Sequence, residues 1–234
     1  MRLRFMIPAL LATGTVALWL YLRRGRAWVL RWGASAAEAA AALPGDALIA
    51  EPAGQATRAI TIAAPPEARG PWIAQIGQGR GGAYTSGRIE NLLGLGMHSA
   101  DRILPPFQHP AVGDLVLRTP SSEMRVRALE PVRHLVAAAP DGSWSWAFVV
   151  RPLAGGRTRF LSRTRWPHGG AGQRLGMLLL EPASLVLERK MLLGVKRRVE
   201  AAARKSAEAV GTATNAGESD DEPAARTRLA CGAV

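Results

Sequence analysis

By type, four histidines, one cysteine and a glycine-rich loop are the residues of this chain that could do chemistry. A metal would need ligands at close helical or loop spacing. His98, His109, His134 and His168 show no pair at about three to five residues, so no metal is expected. The lone Cys231, near the C-terminus, excludes an intrachain disulfide framework and a cysteine zinc site. No Gly-x-Ser-x-Gly elbow occurs, and no nucleophile sits beside an evident base. Gly77, Gly79 and Gly82 have the spacing of a phosphate cradle, but the loop follows a helical stretch rather than a strand. A tight turn is the simpler reading, and no cofactor is expected. Glu90 and the Asp101-Arg102 pair could supply acid and base groups, although a surface ion pair is the ordinary role of such residues.

The elements around these residues are legible in the hydrophobic periodicity. Trp144 to Trp166 holds two alternating runs around Gly155-Gly156, a hairpin signal. Trp144, Trp146, Phe148 and Val150 share one face of the first run. In the second, Thr158, Phe160, Ser162 and Thr164 lie opposite Arg157, Arg159, Arg163 and Arg165, a row broken only by Leu161. The sheet therefore has one face for an aromatic, partly hydroxylated interior and one crowded with cations. Thr57–Ala63 reads as a strand with Arg58, Ile60 and Ile62 on one face. Pro65-Pro66-Glu67 opens a helix towards Ile76. Ser86–Leu95 reads as a short helix. Strands follow at Asp114–Arg118, at Ser122–Leu129, with Met124, Val126 and Ala128 on one face, and at Val132–Ala139. Glu181–Val210 is a long helix with an apolar stripe of Leu185, Leu192, Val195, Val199 and Ala202.

The chain has 234 residues and a formal net charge of +12, which points to an anionic partner or to arginine used simply as a solvated residue. Phe5–Leu22 is about 18 residues without a charge, the lower limit for a membrane-spanning helix. Trp19, Tyr21, Trp28 and Trp32 suit an interfacial belt. Arg23, Arg24, Arg26 and Arg31 suit a stop-transfer flank better than a cleaved signal, and they place the following domain in the cytoplasm. The expected organisation is an anchor over 1–26, a juxtamembrane helix and linker over 27–54, a domain over 55–210 and a disordered tail over 211–234. The localisation that follows is the cell membrane, single-pass.

One strand, two helices, a run of antiparallel strands and a long C-terminal helix make up the order of the helix-grip fold, an α+β class. The residues resemble a bacterial family of that kind, the SRPBCC proteins (START, polyketide cyclase and Bet v 1-like). The stretches that carry the resemblance are AITIAAPPEA from Ala59, PWIAQIGQGR from Pro71, ENLLGL from Glu90 and SADRI from Ser99. Val112-Gly113-Asp114, EPAS from Glu181 and ERKMLLGVKRR from Glu188 complete it. It spans roughly Gln55–Val210. It implies a curved antiparallel sheet gripping the long helix, with a cavity between them, and no single reaction. It also implies that Arg80 and Tyr84 lie near the cavity entrance as polar contacts. Where relatives usually carry an apolar or aromatic pair before Pro71, this chain has Arg69-Gly70.

The ligand-binding candidates are Trp72, Arg80, Tyr84, Met124, Val126, Leu135, Trp144, Trp146, Phe148 and Phe160. An ordinary packed core is the competing assignment for the apolar members. Arg157, Arg159, Arg163 and Arg165 are the membrane-surface candidates, facing the anionic leaflet. The reading is a membrane-tethered, non-catalytic module that binds an apolar small molecule or lipid. The alternatives are a polyketide cyclase/dehydratase-like enzyme using the same cavity, with Arg80, Tyr84 or His98 moving protons, and a ligand-free interaction module with a basic face. Nucleic acid is not expected as a partner, because no recognition motif is present.

Overall fold

The computed structural model describes residues 14–16, 19–85, 98–118 and 122–218. Most of Phe5–Leu22, the expected helix at Ser86–Leu95 and residues 219–234 lie outside the described residues. A π-helical turn, Tyr21–Gly25, runs into α1 (Arg26–Leu30), and α2 (Ala36–Ala40) follows. Ser35 and Glu38 close a capping box on α2: Glu38 N–H donates to Ser35 Oγ at 3.1 Å and Ser35 N–H to the Glu38 carboxylate at 2.8 Å. After a 3₁₀ turn at Asp46–Ile49 come β1 (Pro52–Ile62) and α3 (Pro66–Ala74). The strands β2 (Leu115–Arg118), β3 (Glu123–Glu130), β4 (His134–Ala138), β5 (Ser145–Leu153) and β6 (Arg157–Pro167) precede α4 (Ala171–Glu218).

The six strands form one antiparallel sheet in the order β1-β6-β5-β4-β3-β2. Strands β2 to β6 follow one another as a meander, and β1 adds beside β6. The hairpin turn between β5 and β6 holds Gly155 and Gly156 at φ 71° and 62°, a conformation that glycine adopts without a Cβ clash. Gly77 and Gly82 pair with each other and close the glycine loop as a turn. The long helix lies across one face of the sheet, an arrangement that fits the helix grip. Leu192, Val195 and Val199 of α4 pack there on Ile60, Ile62, Val126, Leu135, Phe148 and Phe160. At Gly194 α4 comes close to the Tyr84 loop, since a Cβ there would overlap the Tyr84 carbonyl oxygen.

Two expectations change. Met124 and Val126 face the helix as read, but a bulge between Val126 and Ala128 shifts the register. Ala128 then packs on the outer face and Leu129 on the inner one. The long helix starts ten residues earlier than the periodicity suggested and continues through Gly211 to Glu218, into the stretch expected to be disordered.

The larger correction concerns residues 27–54 and the arginine face. These residues, read as a juxtamembrane helix and linker, pack against the sheet. Leu43 packs with Ala59, Val136, Ala147, Val149 and Leu161 in a second core on the outer face of the sheet. The arginines expected to lie open to a membrane surface are covered by this layer. Arg159 pairs with Glu38 at 2.7 Å and donates to the Gly33 carbonyl. Arg163 is buried, pairs with Asp46 at 2.7 Å and donates to the carbonyls of Glu38, Ala39 and Ala41. Arg165 reaches Asp46 as well, at 3.5 Å, and only Arg157 of the four is exposed. Two acids and a set of carbonyls thus satisfy cations that the alternation alone would leave in water. Among the described residues no helix is long and apolar enough to cross a membrane.

Candidate functional site

Among the described residues, clefts open between the inner face of the sheet and its helices, and two of them concern the expected site residues. The first has a volume of about 520 Å³. Helix α3 supplies Arg69, Pro71 and Ile73 to it, the end of β3 and the following turn Leu129 to Val132, β4 Leu135, and β5 Phe148 and Val150. The second, about 380 Å³, lies towards the other end of β5, among Met124, Trp144, Trp146, Thr164, Leu187 and Glu188. Phe148 lines one and Trp146 the other, and their rings meet at 4.6 Å. An aromatic pair therefore stands between the two spaces.

The apolar candidates divide among three places. Leu135 and Phe148 line the first cleft; Met124, Trp144 and Trp146 line the second. Trp72, Val126 and Phe160 are buried in the core and line neither. Arg80 and Tyr84, expected as polar ligand contacts, also line neither, because both are engaged by the protein itself. Arg80 pairs with Asp114 at 3.2 Å and donates to the carbonyls of Ala74 and Phe107. Tyr84 is fully buried, its hydroxyl donates to the Trp72 carbonyl at 2.6 Å, and burial pushes its phenol pKa up. These two side chains tie loops to α3.

Charged groups also lie in the interior, outside the expected site residues. Arg58 and Glu188 form a buried ion pair at 2.8 Å between β1 and α4. Arg58 also donates to Ser184 Oγ at 2.9 Å and to the Val29 carbonyl at 3.1 Å. Trp146 Nε1 donates to Ser162 Oγ at 2.8 Å, and the Ser162 hydroxyl points at Glu188. Burial raises the Glu188 carboxyl, against the opposing pull of Arg58 and Ser162. The third interior charge is Arg69 of α3, 1% exposed, with its guanidinium carbon 4.7 Å from the centre of the Phe160 ring. Each was visible as a charge in an apolar register. Arg58 shares a strand face with Ile60 and Ile62, Glu188 lies one turn from Leu185 and Leu192, and Arg69 one turn before Trp72 and Ile73. Among the described residues no group of three or more His, Cys, Asp or Glu side chains could hold a metal ion.

No family model matches the chain, and no curated protein does. Solved structures do. A polyketide-cyclase-like protein of Corynebacterium glutamicum is 18% identical; the match covers 67% of this chain and 93% of that one, with a TM-score of 0.31. A protein of Mesorhizobium loti is 20% identical over 60% of this chain and 97% of its own, with a TM-score of 0.35. The KanY protein is 17% identical over 63% and 97%, with a TM-score of 0.42.

Proposed function

We propose that this chain is a membrane-attached, non-catalytic module that binds an apolar small molecule or lipid in the first cleft. The observation that carries the reading is that cleft itself: about 520 Å³, walled by Ile73, Leu129, Leu135, Phe148 and Val150. That size and lining belong to small-molecule sites, which are mainly apolar with a few placed polar groups. Attachment to a membrane is supported by a run of exposed apolar side chains. Trp19, Leu20, Leu22 and Trp28 lie along the N-terminal helical segment, and Leu175, Leu179 and Leu180 on the first turns of α4. Glu181 of α4 accepts hydrogen bonds from both Tyr21 and Arg26, which holds the two segments together. Exposed apolar surface of this kind favours a lipid or protein partner over water.

Uptake of a fluorescent apolar probe by the full chain tests the binding site. Leu129→Trp should fill the cleft and abolish uptake with little change in thermal midpoint, because Leu129 is only partly buried. Undiminished uptake by that variant removes the cleft from consideration. A reporter that works only in the cytoplasm, fused to the C-terminus, tests the topology; an inactive reporter on a well-expressed fusion reverses it.

A second reading, a cyclase- or dehydratase-like enzyme, is favoured by one observation. Glu188, a carboxyl raised by burial, borders the tryptophan-lined cleft beside Ser162. Such a group is placed to exchange a proton with a bound substrate. Turnover of a polyketide substrate that Glu188→Gln abolishes would establish it, and no turnover by the wild-type chain would dismiss it.

A further inference from the structure

Among the described residues three arginines are fully buried, namely Arg58, Arg69 and Arg163. Two have a counter-ion in the fold, Arg58 with Glu188 at 2.8 Å and Arg163 with Asp46 at 2.7 Å. Arg69 forms no ion pair among the described residues. One of its nitrogens, Nη2, donates to the Val132 carbonyl at 3.1 Å, and its guanidinium lies over the Phe160 ring. The other two, Nε and Nη1, are buried and have no hydrogen-bond acceptor among the described residues. The acids nearest along the cleft wall do not serve it. Glu67 is exposed, and Glu130 is engaged with Arg133 at 3.1 Å and His134 at 3.6 Å. Val132, whose carbonyl holds Arg69, sits at φ 67°, a strained backbone for a β-branched residue. A buried guanidinium with two idle nitrogens is costly in a protein interior, and such a group is retained where something else pairs with it. Burial with nothing acidic opposite pulls the Arg69 guanidinium down to about 9.

Arg69 is one of the residues that line the first cleft, whose walls are mainly apolar and also carry Glu67, Gln108, His109, Glu130 and His134. From this we propose that the cleft selects an anionic amphiphile, a single-chain aliphatic carboxylate, with its headgroup received by Arg69 and its chain along Leu129, Leu135, Phe148 and Val150. The proposal rests on the reading of this cleft as a binding site, and it adds the chemical class of the ligand. One guanidinium neutralises one negative charge. Among the described residues no other Arg or Lys lines the cleft, and a phosphate monoester would bring a larger charge than one cation balances. His109 and His134 also border the cleft, the latter beside Glu130.

The test is equilibrium binding of decanoate and of decanol, equal in chain length, to the full chain in neutral-lipid nanodiscs, with empty nanodiscs subtracted. Wild-type protein is expected to bind decanoate at least about 10-fold more tightly than decanol, the discrimination of one charge-assisted hydrogen bond. Arg69→Met should lose that preference and keep decanol affinity within about threefold, since methionine replaces the stem over Phe160. Arg69→Lys should keep part of it. Equal binding of the two probes to wild type, or a preference that survives in Arg69→Met, overturns the proposal. Binding of neither probe to wild type instead removes the cleft as a site, which is failure of the function proposed above. If Arg69→Met does not fold, the wild-type comparison and Leu129→Trp decide. A decanoate preference that Leu129→Trp abolishes supports the proposal, and one that it leaves intact places the anion elsewhere.

Discussion

Replacing Asp46 by alanine tests whether residues 27–54 are a structural layer of this domain. Asp46 Oδ2 receives Arg163 at 2.7 Å and the Leu43 amide at 3.0 Å, and Oδ1 lies 3.5 Å from Arg165. The Arg163 side chain is 1% exposed, so deleting its carboxylate partner leaves a cation in the sheet–segment interface. Breaking a buried pair costs about 3–5 kcal/mol. Arg163 retains the carbonyls of Glu38, Ala39 and Ala41 and the Thr57 hydroxyl, and Asp46 is itself 20% exposed. Those acceptors reduce the expected loss to about 2–4 kcal/mol. With a urea m-value of about 2–3 kcal/mol/M, the midpoint should fall by roughly 1 M. Arg133→Ala is the control, because its pair with Glu130 is open to solvent and worth about 0–1 kcal/mol. Urea denaturation of the full chain, followed by tryptophan fluorescence, reads both. Equal and small shifts in the two variants would refute the covered arginine face, and with it the second core.

The other predictions concern single contacts. The Arg159 guanidinium holds the Glu38 carboxyl at about 2, well below its ordinary value of 4.5. Its contribution should therefore be complete above about pH 5 and lost as pH falls from 4.5 towards 2. Thermal midpoints of wild type and Glu38→Gln should differ at pH 7 and converge near pH 2, and a gap independent of pH would contradict the pairing. Gly194→Ala should destabilise by about 2 kcal/mol or more even though alanine is the better helix former by about 1 kcal/mol, because its Cβ would meet the Tyr84 carbonyl; a stabilised variant in calorimetry would rule that contact out. Arg58→Met alone should cost about 3–5 kcal/mol by stranding Glu188, and adding Glu188→Leu should recover most of it. Additive losses in that double-mutant cycle would show that the two charges are independent.

The strands and the faces of their side chains follow from the sequence by itself. Period-2 alternation in β5 and β6 assigns Trp146, Phe148, Phe160 and Ser162 to one side of the sheet and the arginines to the other, since a strand has only two faces. The stripe from Leu185 to Val199 likewise assigns the inner face of α4. What covers each face was decided by tertiary structure. Local pattern cannot show that Glu38 and Asp46, more than a hundred residues before β6, fold back onto Arg159 and Arg163. A charge row that pairs with water and one that pairs with a distant segment have the same sequence period. The division of the interior had the same origin. The bulge after Val126 turned Leu129 into the first cleft, and the packing of Phe148 against Trp146 made two spaces of an expected single cavity. Arg80 and Tyr84 left the site because acceptors at Asp114 and Trp72 came within reach only in the folded chain. Arg69 entered it for the complementary reason. Its helical register placed it inside, and among the described residues no carboxylate meets it.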